Sequence, residues 1–347
     1  MSGKMIRIGI TQGNPNAIAS ELVLKAFNNA EMYEMGVPVL YGSSKILGYY
    51  RKMLDIPSVN VSNVSNLHDL DEPGTNRLNV VNVIPEEFVV EAGQLSDESI
   101  RVADESLRKA CDDLSNGRVD VLVTLPATSK DAATVLFPEQ SGEALKIFVN
   151  DTLRIAVATD SATLSGVAPS ITAEKLTERI KALQSSLIHD FIITSPRIAV
   201  LALNPQSGQE EETIIRPAIQ AASDNGVFCF GPYTAEEFFS TDMPKKFDAI
   251  LAMYHDQGMI AFQSMAAGQG VVYTANFPFV ITAPAHGLNC EKAGKNICEP
   301  DAFRQAIYLA TDLFQNRNTD REIHRNPLKK QFFDRGLDNE KLDLTKD

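Results

Sequence analysis

Short apolar runs alternate with helix-length amphipathic segments from one end of the chain to the other. Runs at 6–10, 37–41, 79–84, 120–125, 153–159, 197–203, 227–230 and 249–254 have strand length, and 271–275 and 279–282 read as short strands. Between them, segments 17–29, 43–54, 97–116, 172–187, 211–223 and 301–314 carry apolar residues at helical spacing. Helix punctuation supports them: Asp97 opens one with Gly117 just past its end, and Thr172 stands where an N-cap belongs. The run 120–125 suits a strand buried on both faces. The Asn- and Ser-rich stretch 59–78 reads as irregular, and the charged tail from Asn316 as a surface helix or a frayed end. Strand-then-helix order throughout predicts an α/β fold with mostly parallel sheets. Ligands bind such sheets at the carboxyl ends of the strands. The candidate site loops are therefore 11–18, 125–130, 159–165, 204–209 and 255–258.

Composition narrows the partners. Lysine and arginine total 32 against 45 aspartates and glutamates, a formal charge of −13. That balance argues against nucleic acid and against an anionic membrane surface, both of which call for a basic patch. No stretch approaches the ~20 apolar residues of a membrane span, and residues 1–10 lack the features of a secretory signal. Cys111, Cys229, Cys290 and Cys298 form no C-x-x-C pair and match no zinc spacing. Four reduced thiols and a cytoplasmic location are expected. At 347 residues the chain exceeds the ~250–300 over which a single core grows, so one large or two medium domains are expected.

Four segments carry chemistry-bearing residues directly after predicted strands: Gly9-Ile-Thr-Gln-Gly-Asn-Pro15, Leu201-Ala-Leu-Asn-Pro-Gln-Ser-Gly208, Ala252-Met-Tyr-His-Asp-Gln-Gly258 and Thr282-Ala-Pro-Ala-His-Gly287. Together they resemble the 4-hydroxythreonine-4-phosphate dehydrogenase family of pyridoxal phosphate synthesis, over nearly the whole chain. The resemblance implies two α/β/α domains of the isocitrate/isopropylmalate-dehydrogenase type with a cleft between them. Residues 1–127 plus 288–347 would form one domain and 128–287 the other, the second carrying most metal positions and dimer contacts. It also implies NAD as hydride acceptor, a divalent metal (zinc or magnesium) held by three histidines, and a homodimer with the site at its interface.

Carried over residue by residue, that site is altered. His255 matches one metal histidine, while the other two fall on Gln206 and on Ser161, beside Asp160. Amide and hydroxyl oxygens are weak, hard donors beside imidazole. His255 and Asp256 are the candidate catalytic residues. His255 has two readings: a metal ligand, or a structural imidazole bonded to Asp256 or to a backbone carbonyl. The implied substrate positions are Gln140, Ser141, Gln263, Val272 and Ile281, where the family has a histidine, a threonine, a lysine, an asparagine and an arginine. Exchanging arginine for isoleucine removes a bidentate anion donor. Gly13-Asn14-Pro15 replaces a Gly-Asp-Pro turn, and Ala17 and Ala19 replace two glycines. His286 and Gly287 are the implied cofactor positions, with a plain turn as the other reading of that pair. No G-x-G-x-x-G follows a strand, so the resemblance alone implies NAD. Lys130 reads as a solvated residue at a helix start, and His68, His189 and His324 as surface residues without a role. Two functions follow: NAD-dependent, metal-assisted oxidation of a phosphorylated hydroxyamino acid, or an inactive or re-purposed paralogue that binds a less anionic small ligand.

Overall fold

The structure is a computed structural model that describes residues 5–57, 59–65, 67, 76–127, 131–139, 143–159, 162–266 and 268–325. The candidate positions Gln140, Ser141, Asp160 and Ser161, together with His68 and Lys130, lie outside the described residues. The strands are β1 (Arg7–Thr11), β2 (Val37–Gly42), β3 (Val61–Asn63), β4 (Leu78–Asn82), β5 (Val121–Val123), β6 (Leu145–Val149), β7 (Arg154–Thr159), β8 (Ile198–Leu201), β9 (Cys229–Tyr233), β10 (Ala249–Tyr254), β11 (Val271–Ala275) and β12 (Ile281–Pro284). The helices are α1 (Ala19–Phe27), α2 (Ser44–Leu54), α3 (Asp97–Ser115), α4 (Ala132–Leu136), α5 (Leu164–Ser170), α6 (Ala173–His189), α7 (Arg216–Asp224), α8 (Ala235–Phe239), α9 (His255–Ala266) and α10 (Asp301–Arg325).

All strands join one open sheet in the order β3-β4-β2-β1-β5-β12-β11-β6-β7-β10-β8-β9. Its ladders are parallel except β12–β11, β11–β6 and β6–β7. The mostly parallel α/β fold is thus as the strand–helix alternation predicts. The sheet also runs unbroken between β5 and β12, where Ile281 pairs with Leu122.

The two-residue period of the strands sorts side chains onto two faces. One face carries Ile8, Ile10, Leu40, Val121, Ile147, Val200, Leu251 and Tyr273, and packs on α1, α2, α6, α7 and α10. The opposite face is covered in two separate patches. Val39, Tyr41 and Leu122 meet residues of α3 and α4. Ile155, Val157, Ala199 and Ile250 meet residues of α8 and α9. Between these patches run β6, β11 and β12, of which Ile281 joins the first patch and Phe148 the second. An antiparallel sheet can leave one face uncovered, which a parallel sheet between crossover helices does not.

Helix ends follow the side-chain chemistry. Ser96 and Ser99 form a reciprocal capping box on α3, and Ser43 and Thr172 cap α2 and α6. Two features depart from the predicted elements. β6 occupies 145–149, where no strand is predicted, because Lys146 interrupts its apolar run. Residues 255–258, predicted as a loop, are the first turn of α9. Gly258 makes that helix possible, since a Cβ there would sit 3.0 Å from Ile155, 3.2 Å from Ala252 and 3.3 Å from Val157. Overpacking of this kind costs about 1–3 kcal/mol. Gly258→Val is accordingly expected to lower the urea unfolding free energy by about 2–3 kcal/mol, and a variant as stable as wild type would refute the close-packing role.

Candidate active site

A cavity of about 460 Å³ opens over these three strands. Its floor is set by strand period: Lys146 and Phe148 from β6, Val272 and Thr274 from β11, Ile281 and Ala283 from β12. Register places Phe148 opposite Val272, Lys146 opposite Thr274, and Val272 opposite Ala283. One wall is α9, where His255, Met259 and Gln263 recur every four residues and so share a helix face. The other walls are Thr124, just past β5, the start of α4 at Asp131 and Ala132, and Ala285-His286-Gly287, just past β12. Thr124, His255 and His286 all follow the carboxyl ends of their strands, where α/β sheets place ligands.

Most of the described candidate positions converge here. His255, Gln263, Val272, Ile281, His286 and Gly287 all line this one cavity. His255 stands edge-on to Phe148, with ring centroids 5.7 Å apart. Gln263 donates its amide to the Ala285 carbonyl at 2.7 Å, which fastens α9 to the strand end beyond β12. Burial pushes His286 below the usual imidazole range, with Lys292 adding to the effect against the hydrogen bond to Gly287. The shift favours the neutral ring. Its Nδ1 donates to the Gly287 carbonyl at 3.0 Å, so Nε2 carries the lone pair.

Two candidates lie elsewhere. Asp256 is exposed and lines a separate groove with Asn204, Pro205 and Ile260. Gln206 is exposed on the loop after β8 and is not among the residues lining the His255 cavity. Among the described residues, no three His, Cys, Asp or Glu side chains gather as a metal site. The described donors, one imidazole with a remote amide, do not fit the implied three-histidine metal.

The loops that carry the sequence motifs have structural work. Gln257 accepts from the Met253 N–H and donates to the Ala202 carbonyl, each at 2.7 Å, which ties β10 to the end of β8. The Asn204 loop wraps the buried Glu211 carboxylate, which receives the N–H groups of Leu203 and Asn204 at 2.9 Å and of Gly208 at 2.8 Å. Gly13-Asn14-Pro15 is a buried corner: the Asn14 N–H donates to the Pro126 carbonyl, and its side chain donates to Ser99. All of 11–18 is buried, so this predicted site loop is a packed one, with Thr11 at a cavity wall.

A second cavity of about 430 Å³ adjoins the first and shares Thr124, Asp131, Ala132, Ala283, Pro284, His286 and Gly287 with it. Asp131 is the one carboxylate among its described lining residues, and the Lys146 ammonium stands 3.6 Å away. An anionic group would meet no uncompensated negative charge there. All four cysteines are free thiols. Burial pushes Cys111 up to about 12 and also raises Cys229, Cys290 and Cys298, which leaves no activated thiol among them. No described helix is long and apolar enough to cross a membrane.

Sequence reasoning missed Lys146 and Asp131. The signal for Lys146 lay in Leu145-Lys-Ile-Phe-Val149, whose alternating Leu145, Ile147 and Val149 mark a strand with Lys146 on the other face. Asp131 is the N-cap of α4 and accepts from the Thr134 N–H at 2.8 Å.

Fold and cavity together define an α/β protein with a small-molecule site at the carboxyl edge of its sheet. The chain belongs to the family described as pyridoxal phosphate biosynthetic protein PdxA, which it matches over residues 34–310. It is 38% identical to 4-hydroxythreonine-4-phosphate dehydrogenase of Bacteroides thetaiotaomicron, over 99% of this chain and 98% of that protein. A protein of the same name from a Sulfurihydrogenibium species is 30% identical over 88% of this chain and 98% of its own length. The crystal structure of 4-hydroxythreonine-4-phosphate dehydrogenase from Klebsiella pneumoniae superposes with a TM-score of 0.74, covering 91% of this chain and all of that one at 21% identity.

Proposed function

We propose that this chain is an NAD-dependent dehydrogenase of a phosphorylated hydroxyamino acid, the activity its curated relatives are named for. The observation that carries the reading is the convergence of His255, Gln263, Val272, Ile281, His286 and Gly287 on one cavity. The substrate occupies the His255 cavity; NAD, which would supply the hydride acceptor, would be held by residues of the adjoining one, His286 and Gly287 among them. His286 and Gly287 stand at the boundary between the two. The substrate hydroxyl gives its proton to an imidazole of this cavity. His286 Nε2 is held unprotonated for that purpose, and His255 flanks the reacting carbon from α9. Phe148 and Ile281 exclude water from the floor. We also place a homodimer in this reading, supported by the exposed apolar Ile260 on α9 and Leu164 on α5.

Because the described donors do not fit the family's metal, turnover is expected to fall at least about 10–100-fold below that of three-histidine relatives. The test is NADH formation from 4-hydroxythreonine-4-phosphate, with His286→Ala, which removes the proton acceptor, expected to lower kcat about 100-fold or more. Absence of NADH formation by wild type overturns the reading. The second reading, a re-purposed cavity for a less anionic ligand, is favoured by Gln263 spending its amide on Ala285 and by the apolar Val272 and Ile281 in the floor.

A further inference from the structure

We propose that Lys146, steadied by Asp131, is the oxyanion-binding residue of this cavity and seats the ligand's phosphate monoester. This inference rests on the substrate class proposed above and assigns the group that recognises it. The positions implied for substrate cations hold Gln263 and Ile281, neither of which is charged. Lys146 is the one lysine or arginine among the described residues lining the His255 cavity. It reaches the same floor from a different strand, directly across from Thr274.

Its placement is built. β6 is hydrogen-bonded on both sides, to β11 and to β7, so the lysine stem rises from a fixed strand. Asp131 Oδ2 lies 3.6 Å from Nζ. That carboxylate is itself anchored, since its other oxygen accepts the Thr134 N–H at the start of α4. An ammonium has three donors, so a carboxylate on one side is compatible with an oxyanion on another, and Thr274 adds a hydroxyl beside it. Lysine binds phosphate as a point charge and needs no planar fork. Lys146, Asp131 and Thr274 also line a neighbouring cavity of about 830 Å³, so the phosphate end of the ligand lies at the seam between the two spaces. The reacting hydroxyl then points toward His255 and His286.

The test is calorimetric titration of the full chain, without NAD, using 4-hydroxythreonine-4-phosphate, unphosphorylated 4-hydroxythreonine and inorganic phosphate as separate probes. Wild type is expected to prefer the phosphorylated compound. Lys146→Met is expected to bind it roughly 10- to 100-fold more weakly, the loss of one charge-assisted contact, and to stop distinguishing it from 4-hydroxythreonine. Lys146→Arg should retain the preference, and thermal melting of each variant verifies that it folds. A wild-type preference that survives in Lys146→Met overturns the proposal. If wild type ignores both hydroxyamino acids, the substrate assignment of the preceding section falls. Inorganic phosphate then decides alone: binding that Lys146→Met abolishes sustains the oxyanion site, and binding that is absent or unchanged removes it.

Discussion

Asp190→Ala is expected to destabilise the fold by about 3–5 kcal/mol, because it leaves a buried guanidinium without its counter-charge. Asp190, which caps the end of α6, is nearly fully buried. Its carboxylate accepts from Arg317 Nε at 2.6 Å, from the Tyr273 hydroxyl at 2.6 Å and from Ser186 at 2.5 Å. Arg317 Nη2 donates in turn to the Tyr273 oxygen at 2.7 Å. Burial pushes the Tyr273 phenol far above its usual range, so it remains a donor to Asp190 at any ordinary pH. The network joins α6, α10 and the middle of β11, directly beneath the cavity floor. Replacing Asp190 and Arg317 together by leucine and methionine should recover much of the loss, since exchanging a buried ion pair for apolar volume is often neutral. Urea unfolding of the two variants checks this. Equal losses in the single and the double variant would show that the pair is not acting as a unit.

Glu211→Ala is the second large effect, expected at about 3 kcal/mol, because it strands several buried backbone donors at once. The carboxylate has no solvent exposure. Burial pushes its pKa up, but the hydrogen bonds from Asn204 and Gly208 outweigh this and hold it below the ordinary 4.5. A depressed folded-state pKa stabilises the protein above the unfolded value, and the contribution is lost as pH falls through the folded value. Wild type should therefore lose stability below about pH 4.5, and Glu211→Gln should flatten that part of the profile. Thermal melts across the acid range give the comparison. An acid limb unchanged in Glu211→Gln would mean that other carboxylates set it.

The alternation of apolar runs and amphipathic segments was enough to reach the α/β class and most elements. It placed β10 and β11 to the residue. It did not reveal the three antiparallel ladders, because strand direction is a property of pairing and leaves no mark on periodicity. β6 escaped because a functional lysine broke its apolar pattern, and α9 because a helix with glycine at its fourth position scores poorly by propensity. The motif around His255 was visible, but its internal division of labour was not. Only His255 faces the cavity, while Gln257 and Gly258 hold α9 against the sheet and Asp256 turns to another groove. Residues with packing roles and residues with ligand roles alternate inside one short segment, and sequence spacing alone cannot sort them.

The strap of β6, β11 and β12 separates two kinds of selection. Leu145, Ile147, Val149, Val271, Tyr273 and Ala275 belong to the main core, whereas Lys146, Val272, Thr274 and Ala283 face the cavity. Exchanges at the second set can change what the protein recognises while the first set keeps it folded. A small combinatorial library at those four positions is the natural place to redesign recognition while leaving the core set unchanged.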